Sequence, residues 1–121
     1  MTIEQSFFIE ILNIMPLNSV CYLQAPNLES STLLKKIEDT DYPYYKSIKI
    51  NRVNKELIID SILNEDIQDD IQSIQIRFDG VLLFEGFDGV ECGTISKNID
   101  LPSDFVEKYV NDDFCNISNN W

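Results

Sequence analysis

Glu65, Asp66, Asp69 and Asp70 fall within one six-residue window that holds no basic residue, the densest charge in a chain of 121 residues. Acids so closely spaced could hold a divalent cation, act as a general acid and base, or present negative charge to a partner. The spacing does not fit a calcium loop, because the Asp-x-Asp/Asn-x-Asp/Asn-Gly pattern and its distal Glu are missing; Asp39, Asp41 and Asp79 fare no better. At most a weak, adventitious divalent site is left. A carboxylate pair for glycoside cleavage needs a pocket, and none can be argued from these residues.

The other reactive groups point the same way. The chain has no histidine, so the usual general base, zinc ligand and nucleophile activator are missing together. Cys21, Cys92 and Cys115 are widely spaced and odd in number, which fits reduced thiols of a cytoplasmic protein better than a disulfide framework. Cys92 lies between Glu91 and Gly93, the wrong setting for a low-pKa thiolate. There is no glycine-rich phosphate loop, no G-x-S-x-G and no C-x-x-C. These absences argue against an enzyme, and no cofactor and no metal are expected.

What remains for the acids is recognition, and their distribution supports it. Residues 1 to 55 carry six acidic and six basic side chains; residues 56 to 121 carry fifteen acidic side chains against Arg77, Lys97 and Lys108, which is the whole net charge of -12. Such an excess repels nucleic acid and anionic lipid and attracts basic proteins. The ordinary alternative is that acidic surfaces keep a protein soluble. No membrane association is expected, since the longest uncharged run, Ile11 to Leu28, is broken by Asn13, Pro16, Asn18, Pro26 and Asn27. Met1-Thr2-Ile3-Glu4 is acidic where a secretory leader is basic.

The elements that must position these acids centre on Ile74 to Gly89. Ile74, Ile76 and Phe78 alternate with Gln75 and Arg77, the period of a half-buried strand, and Asp79-Gly80 is a strong hairpin signal. With those two residues as the turn, Phe78 pairs with Val81, Ile76 with Leu83 and Ile74 with Glu85 on one face; Arg77 pairs with Leu82 and Gln75 with Phe84 on the other. Glu85 then falls at the rim of the core, unless a bulge near Gly86 rotates it outward. Leu82 and Phe84 fall on a polar face, where they are either covered by a helix or free to anchor a partner. Asp88-Gly89 repeats the turn signature and predicts a third strand over Val90 to Ile99, containing Thr94-Ile95-Ser96.

Before the hairpin, Thr2 and Gln5 form a capping box for an amphipathic helix from Ile3 to Asn13 or Ile14, ended by Pro16. Ser19 to Ala25 reads as a strand. Asn27 to Asp39 reads as a second helix capped by Ser30 or Ser31, and Asp39 to Tyr45 as a loop or the entry of a strand, whose tyrosines either lid the core or form a recognition surface. Ser47 to Val53 is a strand, and Glu56 to Leu63, capped by Asn54, is apolar nearly all round and reads as a mostly buried helix, with a strand as the alternative. Past the hairpin, Pro102 and Ser103 open a helix with Phe105, Val106, Tyr109 and Val110 on one face. The pattern predicts one α+β domain over residues 1–121: a central antiparallel meander sheet packed with two to four helices.

The stretch Ile76 to Ser96, I-R-F-D-G-V-L-L-F-E-G-F-D-G-V-E-C-G-T-I-S, resembles the central hairpin of small acidic immunity proteins that accompany bacterial polymorphic toxins, including those of contact-dependent growth inhibition. The resemblance implies a cytoplasmic protein that binds the toxic domain of a cognate effector, often a basic nuclease, and blocks it. On the charge pattern, the residues expected to meet such a partner are Glu65, Asp66, Asp69, Asp70, Asp79, Glu85, Asp88 and Glu91, with Leu82, Phe84 and Phe87 as apolar anchors. Two other roles fit the composition: an acidic nucleic-acid mimic that inhibits a defence enzyme, and a non-catalytic adaptor.

Overall fold

The computed structural model describes every residue from Met1 to Trp121. The first helix, α1 (Ile3–Ile14), starts with the expected capping box: Gln5 N–H donates to Thr2 Oγ1 at 3.1 Å, and Thr2 N–H donates to Gln5 Oε1 at 2.9 Å. Its buried stripe of Phe7, Phe8, Ile11 and Leu12 lies against a seven-stranded sheet. The strands are β1 (Ser19–Gln24), β2 (Glu38–Asp39), β3 (Lys46–Ile50), β4 (Ser73–Phe78), β5 (Val81–Phe87), β6 (Cys92–Ile95) and β7 (Cys115–Ile117). Their spatial order is β2-β3-β1-β4-β5-β6-β7; all pairs are antiparallel except β6 with β7. The central strands are therefore antiparallel and β4-β5-β6 form the meander, which establishes the α+β class.

Side chains alternate across this sheet, so one face is core and the other is not. Cys21, Leu23, Ile48, Ile50, Ile74, Ile76, Phe84, Ile95 and Cys115 all point to the helical side and are buried. On the opposite face, where β1, β4 and β5 carry Tyr22, Gln75, Arg77 and Glu85, only Ser73 is buried. Three more helical segments complete the covered side: α2 (Ser31–Leu34), α3 (Arg52–Glu65), and α4 (Ser103–Phe105), which continues as a π-helical turn over Val106–Val110. Phe7 is the hub of the packing, with ring contacts to Phe84, Phe105, Tyr109 and Phe114 at centroid distances of 4.9 to 6.1 Å.

Several boundaries differ from the sequence reading. The second helix is a single turn, Ser31–Leu34: only Leu33 of it is buried and Lys35 and Lys36 follow, so further turns would gain no packing to repay them. Asn51, not Asn54, caps α3 by accepting the Asn54 N–H at 2.8 Å, and β3 ends at Ile50. That helix buries only Ile58, Ser61 and Ile62, with Leu63 and Val53 exposed, so it lies on the surface rather than within the core. The turn after β5 spans four residues, Asp88 to Glu91, with Glu91 N–H donating to Phe87 O at 3.2 Å. The tail docks through Cys115 and adds β7, a strand that its polar composition did not announce.

The hairpin carries the most consequential correction. Asp79 (φ 49°) and Gly80 (φ 79°) form the predicted turn, and Phe78↔Val81 and Arg77↔Leu82 pair as expected. The register then shifts by one residue, giving Ile76↔Phe84, Gln75↔Glu85 and Ile74↔Gly86. A bulge at Leu83 thus exchanges the faces of everything after it. Phe84 is 0% exposed and packs on Phe7, while Glu85 turns outward and accepts from Gln75 Nε2 at 3.2 Å.

Candidate protein-binding surface

The loops of a sheet gather at its two ends, and at one end this chain collects acids. Helix α3 runs back to that end and terminates at Glu65; Asp66 follows in the left-handed conformation (φ 51°), then a 3-10 turn over Ile67–Asp70 leads into β4. The turn from β5 to β6 docks on the same segment. Asp88 N–H donates to Gln72 O at 3.1 Å and Gly89 N–H to Ile71 O at 2.8 Å. Gly89 sits so close to the backbone of Gln68 and Asp69 that a Cβ would lie 3.4 Å from Gln68 O. Six of the predicted carboxylates, Glu65, Asp66, Asp69, Asp70, Asp88 and Glu91, are thereby brought to one end, and none of them is in an ion pair. The two ion pairs of the protein, Lys46–Asp39 and Lys108–Glu10, lie elsewhere.

The remaining predicted residues divide. Asp79 is at the opposite end of β4, about 20 Å away at the rise of six strand residues, so it does not join the surface. Glu85 and Leu82 are half-buried on the open sheet face. Phe87, 40% exposed, lies at the acidic end of that face and is the one aromatic anchor left. Phe84 is removed from the set because it is core. Asp66 is partly committed to structure, accepting from Gln5 Nε2 and, at 3.4 Å, from Gln68 Nε2. No set of three or more cysteine or carboxylate side chains converges to hold a metal ion.

The acidic end holds backbone and polar arrangements that stability alone does not favour. Val90, β-branched and fully buried, has φ 57°, a conformation that costs on the order of 1–3 kcal/mol. Gln68, 2% exposed, has no hydrogen-bond donor for its Oε1. Helix α3 carries Arg52 and Lys55 in its first turn and Glu65 in its last, the reverse of what the helix dipole favours at each terminus.

The tyrosines between β2 and β3 stand at the same end, since β3 begins there. They divide by exposure, and none of them covers the core. Tyr45 lids the sheet, its hydroxyl 2.7 Å from Ser73 Oγ, whereas Tyr42 and Tyr44 are 56% and 85% exposed. Thr40 Oγ1 organises the loop, accepting from Tyr42 N–H at 3.1 Å, and Tyr44 takes φ 71°. They border the largest cavity of the molecule, a groove of about 560 Å³ whose apolar wall includes Pro26, Leu34, Ile37 and Pro43. A loop proline flanked by three tyrosines was the signal for this surface, but not for its adjacency to the acids.

Burial sets the thiols apart. Desolvation pushes the Cys21 thiol far above its ordinary range and that of Cys115 up to about 12, while Cys92 is exposed on the open face. No helix is long and apolar enough to cross a membrane. No protein-family model, curated protein or solved structure matches the chain.

Proposed function

We propose that this protein is a non-catalytic immunity protein: it binds a cognate toxin domain, basic and of nuclease type, in the cytoplasm and neutralises it. The observation that carries this reading is the gathering of six carboxylates without ion pairs on one end of the fold. A nuclease must be positive where it holds phosphates, so a surface of this sign can occupy or cover that site, with association accelerated by the long-range field. Phe87 and the exposed tyrosines supply the apolar contacts that charge alone does not. Left-handed backbone at Asp66, Asp88 and Val90 and a glutamate at the C-terminus of α3, all at this end, fit a surface kept for binding.

Co-expression tests the reading. The toxic domain encoded beside this gene, induced alone, should arrest growth, and co-expression of this protein should restore it. Asp69→Asn, Asp70→Asn, Asp88→Asn and Glu91→Gln together should abolish protection while leaving a folded protein. Arrest that persists with the wild-type protein present and folded would sink the assignment.

A further inference from the structure

Tyr42 separates the large groove from a second hollow of about 460 Å³, lined by Tyr22, Asp39, Thr40, Asp41 and Tyr42. The Tyr22 and Tyr42 rings meet edge to face, with centroids 5.7 Å apart and planes at 87°, so they make two walls at right angles. Aromatic faces are electronegative, and the rim adds two carboxylates. Lys46 hydrogen-bonds to Asp39 and holds its carboxyl below the ordinary value, whereas Asp41 is exposed and in no ion pair.

The combination suits a flat cation better than a compact one. A guanidinium can stack on one ring while its N–H fork reaches a carboxylate, a pairing that an ammonium cannot reproduce. The nearest cations of the chain already have partners: Arg77 lines a small hollow shared with Tyr22 and Tyr42, and Lys46 sits on the rim carboxylate Asp39. Arg77 donates to Gln75 Oε1 at 3.1 and 3.2 Å and to Gly80 O at 3.2 Å, and Lys46 is held by Asp39. The loop is also ordered in advance: Tyr42 N–H donates to Thr40 Oγ1 at 3.1 Å, and Tyr45 N–H donates to Tyr42 O at 3.2 Å. Little ordering is left for a ligand to impose.

We propose that the Tyr22–Tyr42 corner, with Asp41, is a binding site for the guanidinium of an arginine side chain. That the arginine is presented by the toxin partner rests on the reading above; the site itself is independent of it. The test is titration with N-acetyl-arginine amide, following the Tyr22 and Tyr42 ring resonances by NMR, against N-acetyl-citrulline amide, its neutral isostere, and the lysine analogue. Saturable shifts are expected with arginine, with binding about fivefold weaker for the lysine analogue and weaker still for citrulline. Tyr42→Leu and Asp41→Asn, both at exposed positions, should each weaken arginine binding several-fold. Citrulline or lysine binding as tightly as arginine, or arginine binding unchanged in both variants, overturns the site. Toxin binding at full affinity by Tyr42→Leu removes the partner's arginine from the corner and leaves the immunity reading intact; failure to bind any toxin does the reverse.

Discussion

At the scale of single residues, the hairpin turns on a ring and two glycines. Gly86 and Gly93 face each other across β5 and β6, and both point to the core side. A Cβ on Gly93 would stand 2.6 Å from Phe84 Cε1, and one on Gly86 would stand 3.0 Å from Phe84 Cε2 and from Ile74 Cγ2. The two glycines open the space into which the Phe84 ring fits, and the bulge at Leu83 is what aims the ring there. Gly93→Ala should therefore lower stability by about 1–3 kcal/mol, measured by denaturant unfolding, and Phe84→Leu in the same chain should recover part of the loss. Equal loss with and without the second change would place the conflict on the Glu85 carbonyl, 2.9 Å from the same Cβ, and not on the ring. Strict alternation could not reveal Phe84 as core, because a single inserted residue exchanges faces without leaving a trace in the hydrophobic pattern. Glycines at 86 and 93 were the available clue, legible only once the two strands are known to pair in register.

At the scale of elements, α3 holds its charges against its own dipole. Basic Arg52 and Lys55 at the positive terminus and Glu65 at the negative one enlarge the polarity of the helix instead of cancelling it. Glu65→Lys should thus raise stability by about 0.3–1 kcal/mol while weakening partner binding, a trade expected where an electrostatic surface is kept for function. A Glu65→Lys protein that is less stable than wild type would show that Glu65 has a structural role. Elements with strong local signals, such as the capping box of α1 and the Asp79-Gly80 turn, were fully readable in the sequence. Those whose extent depends on what covers them were not. Ser31–Leu34 shrank to one turn and Cys115–Ile117 gained strand pairing because each depends on contacts distant in the chain. The same limit applied to the surface: the acids were visible as a run, but their union with Asp88 and Glu91 rests on backbone hydrogen bonds from the β5–β6 turn.

At the scale of the whole molecule, stability and binding answer to different variables. Cys21, Cys115 and Tyr109 all have folded-state values raised above the ordinary 9.0 for the thiols and 10.0 for the phenol, chiefly by burial. Tyr109 is also hydrogen-bonded to the Glu10 carboxylate, which opposes its ionisation. Raised values mean that the native state holds these protons more tightly than the unfolded state. Their contribution is complete below pH 9 and is lost as pH rises toward the folded-state values. Unfolding free energy should fall above pH 9, and Cys21→Ala with Cys115→Ala should flatten that fall; a pH-independent stability from 9 to 11 would contradict it. Binding should follow a different variable, ionic strength, because the proposed contact of the six carboxylates with a basic partner acts through a screened field. The most direct measurement is the dissociation constant for the cognate toxin domain across a salt series, with wild type beside the Asp69→Asn, Asp70→Asn, Asp88→Asn, Glu91→Gln protein. Wild type should weaken steeply with salt, and the substituted protein should bind more weakly and with a flatter salt dependence. Identical affinity and identical salt dependence in the two proteins would show that the acidic end does not meet the toxin.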